Sequence, residues 1–102
     1  MELVDNDGAI ELTGRLDGRS SAEVREALYD HIERHPDEDV RVDVTHVESI
    51  DVTALNLLAA AALKVRRAGG QVVLVGCSPA LRRVVAYRGW RRLFRLERAA
   101  SE

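Results

Sequence analysis

The sixteen residues from Asp43 to Leu58 constrain this chain more than any other stretch. A β-type run, Val40-Arg41-Val42-Asp43-Val44, ends in a short polar turn. Ile50-Asp51-Val52-Thr53 follows, and a helix as apolar as a buried core starts at once. Such a segment folds as strand, turn and covered helix, and it sets a hydroxyl at a helix N-terminus. Backbone N–H groups point outward there and the helix dipole favours negative charge. A phosphate added to that hydroxyl is electrostatically favoured and can act as a switch.

A chain of 102 residues suffices for one domain over 1–102. Folding at this size buries about 60–70% of the unfolded surface, enough for one core. Cys77 is the lone cysteine, so no intrachain disulfide forms, which fits a reducing cytoplasm. The N-terminus lacks the basic and long apolar regions of a signal peptide. The longest apolar run, Leu57 to Leu63, is too short for a bilayer span of about 20 residues, so no membrane insertion is expected. Charge is lopsided. Before Lys64 acids outnumber bases 15 to 5, and from Lys64 onward bases outnumber acids 10 to 2. A basic binding surface and an ordinary solvated edge both fit this asymmetry.

Residues 1–4 start a first strand, and Asp5-Asn6-Asp7-Gly8 is a turn signal. Ala9 to Thr13 alternates as a second strand, and Gly14 to Gly18 reads as a loop. Ser20 and Glu23 have capping-box spacing, so a helix begins near Ser20 or Ser21. Val24, Ala27, Leu28, His31 and Ile32 form one face at helical spacing, and Pro36 ends it. Val40, Val42 and Val44 alternate as a third strand. The next helix runs from about Thr53 to Arg67. Leu55, Leu58, Ala62 and Val65 point inward, while Thr53, Asn56, Ala60, Lys64 and Arg67 point outward. Gly69-Gly70 stops it. Val72 to Val75 is continuously apolar, as in a strand covered on both faces. Val40 to Val75 is thus a βαβ unit. Ser78-Pro79 opens a third helix with Leu81, Val84 and Val85 inward and Tyr87 a further inward candidate. Gly89 ends it, and Leu93 to Leu96 reads as a last short strand.

Asp43-Val44-Thr45 and Ile50-Asp51-Val52-Thr53-Ala54-Leu55 resemble the central motif of STAS domains, the fold of bacterial anti-sigma factor antagonists. Further pieces follow in family order: Gly14-Arg15-Leu16-Asp17, Ala68-Gly69-Gly70, Ser78-Pro79 with Leu81-Arg82-Arg83-Val84, and Gly89-Trp90-Arg91-Arg92-Leu93-Phe94. The resemblance is strongest over residues 9–96. It implies an α/β fold, a small mixed sheet of four to five strands packed against three to four helices. It departs at Val52, where many members have serine, and at Ala54, where glycine is usual. The family's last helix is short or absent.

The resemblance also implies a function. The chain would be a non-enzymatic anti-sigma factor antagonist, a cytoplasmic, phosphorylation-controlled partner switch in transcription regulation. Thr53 falls on the hydroxyl that family members phosphorylate. The unmodified domain would bind an anti-sigma factor with serine/threonine kinase activity, and a phosphatase would reset it. Asp17 and Asp51 would lie near Thr53 and orient the hydroxyl or the kinase's nucleotide-bound magnesium. Asn56, about one turn on, is the candidate contact residue. The resemblance equally admits the STAS subunit of a lipid-trafficking ABC transporter, binding its cytoplasmic ATPase with Thr53 unmodified.

Plainer readings stand beside these. Thr53 suits a helix N-cap, Asp17 a turn, and Asp51 a loop closed through backbone bonds. His31 and His35 are four apart, but no third ligand joins them, so no metal site follows. No cofactor motif is present. Cys77 beside Ser78 fits either a thiol activated at a helix start or a buried structural cysteine. The arginines of the third helix and tail rest on charge alone, and no direct nucleic-acid contact is expected. Exposed strand edges leave room for a homodimer.

Overall fold

The computed structural model describes residues 2–6 and 9–99. The elements are β1 (Glu2–Asn6), β2 (Ala9–Leu16), α1 (Ser21–Arg34), β3 (Val40–Ile50), α2 (Val52–Arg67), β4 (Val72–Val75), α3 (Pro79–Tyr87) and β5 (Phe94–Glu97). The five strands form one sheet in chain order. β1 and β2 are antiparallel, and every later neighbour is parallel. This is the α/β architecture expected, a mixed sheet with three helices among the described residues. Asp7 and Gly8 of the expected hairpin turn lie outside the described residues.

The helices share one face of the sheet. Ile10, Val42, Leu74 and Leu96 form one register row, and Val40, Val72 and Phe94 another. Apart from Leu96, which is half-buried and packs against it, these residues join Val24, Leu28, Leu58, Ala62, Val65, Leu81 and Val85 of the helices in one core cluster. Right-handed crossovers between successive parallel neighbours put all three helices on that side. The stripes predicted from spacing face the core, with Ala27 of α1 and Val84 of α3 half-buried and Tyr87 an exception.

β4 is buried at all four positions. Only its core side meets helices. On the other side Val73 lies in register between Arg41 and Arg95, and Val75 between Asp43 and Glu97. Arg41 Nη1 reaches Glu97 Oε1 at 2.9 Å, across β4 from β3 to β5. Arg95 Nη2 joins the same carboxylate at 3.3 Å. The second cover is thus a strap of long side chains, whose stems bury apolar surface while their heads stay wet.

Four local expectations need correction. The polar residues Thr45 to Ser49 are strand, not turn, and Gly14-Arg15-Leu16 is strand, not loop. The two stretches pair with each other, with register shifts at Glu11/Thr13 and Gly14/Arg15. Cross-strand partners here outweigh local polarity. Tyr87 is 91% exposed, because α3 already rests on Leu81 and Val85. Ser20 precedes α1, yet its hydroxyl caps no helical amide and the box does not form. Ser20 Oγ instead serves the backbone of Asp17.

Candidate functional site

The site lies at the C-terminal ends of β2 and β3, where α1 and α2 begin. Asp51, not Thr53, is the N-cap of α2. Its backbone is extended, and its Oδ1 accepts from the Ala54 amide at 2.8 Å. The other oxygen, Oδ2, accepts from the Gly18 amide at 3.0 Å. The Asp51 amide donates to the Leu16 carbonyl at 2.9 Å. One residue therefore caps a helix and fastens the β2–α1 turn to it. An aspartate fills a cap better than a β-branched threonine, and its charge suits the dipole.

Asp17 organises that turn. Its Oδ1 accepts from the amides of Arg19 at 2.9 Å and Ser20 at 3.2 Å. Its own amide donates to Ser20 Oγ at 2.9 Å. The plain readings of Asp17 and Asp51 thus describe what both carboxylates do in this structure. Asp17 bends its own loop, and Asp51 ties that loop down through Gly18.

Freed from capping, Thr53 sits in the first turn of α2 with an exposed side chain. Its hydroxyl makes no hydrogen bond to another described residue. Asn56, also exposed, follows it. Both line an open groove of about 690 Å³ between α1 and α2. Ser21, Ala22 and Arg25 form the opposite bank, and Tyr29 lies between Arg25 and Lys64. The Arg25 guanidinium carbon is 5.5 Å, and Lys64 Nζ 4.4 Å, from the Tyr29 ring centre. Beyond the groove, α2 leaves Val52 61% and Leu63 41% exposed. The fold thus gathers all four candidate residues at one end. Thr53 and Asn56 line the groove, while Asp17 and Asp51 build the loop and cap beside it.

A second concavity of about 510 Å³ lies between the C-terminal part of β3 and the start of α3, beside Cys77. Cys77 is 7% exposed. Burial pushes its thiol from 9.0 up to about 11, against a smaller opposing pull from Arg82. It is the buried structural cysteine of the two sequence readings, not an activated thiol. Among the described residues no group of three or more His, Cys, Asp or Glu is placed to hold a metal ion. No helix there is long and apolar enough to cross a membrane.

Sequence reasoning missed Arg25, whose place on the groove depends on how α1 packs beside α2. It also missed the full burial of His31, both of whose ring nitrogens lack a hydrogen bond. His31 Nδ1 lies 3.5 Å from Asp5 Oδ1, which belongs to β1. Its helical spacing gave the inward direction but not the neighbour.

The family model described as "Mlab, STAS domain" matches residues 1–96. Solved structures of the same fold include a putative anti-sigma factor antagonist from Thermotoga maritima. It is 17% identical, with a TM-score of 0.78 over 98% of this chain and 87% of that one. An anti-sigma factor antagonist from Mycobacterium paratuberculosis is 24% identical, with a TM-score of 0.75 over 94% and 82%. The Bacillus cell fate determinant SpoIIAA in its phosphorylated form is 17% identical, with a TM-score of 0.73 over 93% and 88%. At these identities the likeness is one of fold.

Proposed function

This chain belongs to the STAS domain family, and from that premise we propose that it is an anti-sigma factor antagonist. It is a protein-binding switch controlled at Thr53, and a substrate rather than an enzyme. The observation that carries the reading is the exposed Thr53 hydroxyl. Asp51 has taken over the capping role, so the hydroxyl is left without structural work. Asn56 and the exposed apolar residues of α2 flank it as a contact surface.

In this reading the unmodified domain binds an anti-sigma factor kinase through the α1–α2 end and releases the sigma factor. The kinase then phosphorylates Thr53. A charge of about −1.5 to −2 on a surface built for close contact is costly to desolvate, so the complex dissociates until a phosphatase resets it. Asp17 and Asp51 act by holding the β2–α1 loop where the kinase approaches. The reaction takes place in the cytoplasm.

The test is a pull-down from lysate with the natural chain, Thr53→Ala and Thr53→Asp as baits. Partners are identified by mass spectrometry, and Thr53 is checked for phosphate. The expected outcome is capture of a kinase-like anti-sigma factor by the first two baits and loss with Thr53→Asp. Equal capture by all three overturns the switch.

The exposure of Val52 and Leu63 favours a second reading in which contact alone suffices. The domain would then be the STAS subunit of a lipid-trafficking ABC transporter, with Thr53 an unmodified contact to the ATPase. Capture of an ATPase with Thr53 free of phosphate decides for it.

A further inference from the structure

We propose that Arg25 of α1 is the seat for a phosphate carried on Thr53, so that phosphorylation closes the α1–α2 groove. The inference rests on the reading of Thr53 as phosphoacceptor and adds where the phosphate goes.

Thr53, Leu57 and Lys64 follow one another along the same flank of α2 at near-helical spacing. Lys64 reaches Tyr29 of α1, so this flank faces α1. Arg25 lies on the opposite bank of the same groove. Both helices link parallel neighbours on one face of the sheet, so they run in the same direction. Long side chains on a helix lean toward its N-terminus. The Arg25 guanidinium carbon lies 5.5 Å from the Tyr29 ring centre in the unmodified chain, and turning to the N-terminal lean would carry it to the level of Thr53 in the first turn of α2.

Charge points the same way. On one side of Thr53 stands the Asp51 carboxylate, held in place by the Ala54 and Gly18 amides. It repels a phosphate. Arg25 forms no ion pair with a carboxylate among the described residues, so its forked donors are open to phosphate oxygens. Glu26 and Asp30 also line the groove, and Arg25 and Lys64 both lie over the Tyr29 ring, but Lys64 is about three turns beyond Thr53 along α2. Arg25 is the cation best placed to select where the phosphate settles. In the modified state the surface would then be covered by an Arg25–phosphate bridge as well as recharged.

The experiment installs phosphothreonine at position 53 by semisynthesis, so no kinase is needed. The second phosphate ionisation, about pH 6 for a free phosphomonoester, is followed by phosphorus NMR in the natural chain, Arg25→Gln and Arg25→Lys. Arg25 is exposed, and thermal melts verify that the variants fold. The expected midpoint is lower with arginine than with glutamine by about half a unit or more, roughly threefold in the ionisation constant, with lysine between. Equal midpoints overturn the proposal. Partner capture by the phosphorylated chain is scored separately. Continued capture with an Arg25-dependent midpoint overturns the switch and leaves the phosphate seat standing. Lost capture with equal midpoints does the reverse.

Discussion

Helices α2 and α3 both begin where a parallel strand ends, and both have an extended N-cap residue, Asp51 and Ser78. Their wiring differs. Ser78 Oγ accepts from Leu81 at 3.1 Å, a bond within its own turn, and Pro79 presets the first helical residue. Asp51 spends one oxygen on its own helix and the other on Gly18, 33 residues away. Their reactive neighbours differ as well. Thr53 stands outside with nothing to hold, while Cys77 is buried against the sheet. A functional hydroxyl needs a fixed frame and a free side chain, and Asp51 supplies the first while leaving the second. The α3 entrance is locally complete and keeps its reactive group out of reach.

The largest expected effect concerns Cys77. With its thiol raised to about 11, the native chain at pH 8 holds about a hundredfold less thiolate than an unshifted cysteine would. Iodoacetamide should therefore label the folded chain about a hundredfold more slowly than the urea-unfolded chain. Its stability contribution is complete below pH 9 and is lost as pH rises through about 11, since unfolding releases the thiolate. Denaturant melts from pH 8 to 11 should show this fall, and Cys77→Ala should flatten it. A labelling rate equal to that of the unfolded chain breaks the contrast with Thr53.

Next comes the cap comparison. Asp51→Ala should cost about 2 kcal/mol in a urea melt, losing a cap and a cross-link. Ser78→Ala should cost about 1 kcal/mol, losing the cap alone. Equal costs would mean that the Gly18 bond adds nothing. Asp51→Asn keeps an acceptor for Ala54 and should fall between the two.

The smallest effects sharpen the same contrast. Thr53→Ala and Tyr87→Ser should each change stability by less than about 0.5 kcal/mol, since both side chains are exposed. A larger loss from Thr53→Ala would show that the hydroxyl has structural work after all. The stability of Thr53→Ala is also the control for the capture experiment.

Much of the fold was legible because its signals are local. The apolar stripe of α2, the Ser78-Pro79 start of α3 and the continuous run of β4 each follow from spacing and residue type. The failures share one cause. Thr45 to Ser49 looks like a turn by composition, and Gly14 to Leu16 like a loop. Each is strand because the other supplies its hydrogen bonds. Tyr87 has helical spacing on its side, but α3 is short and Leu81 and Val85 suffice to seat it.

The candidate site divides in the same way. Thr53, Asp51, Asp17 and Asn56 could be named from motif and spacing. Which carboxylate caps, and that Thr53 does not, required the position of the β2–α1 turn against α2. The sequence by itself determined which segments are helix and strand where apolar periodicity is strong, and that a hydroxyl would lie at the start of α2. Tertiary structure alone decided what surrounds that hydroxyl: Asp51 drawn to Gly18, Arg25 brought across from α1, and β4 roofed by Arg41 and Glu97. Local patterns report how a segment buries its own apolar side. Bonds between residues tens of positions apart form only once the sheet has brought their strands and loops together.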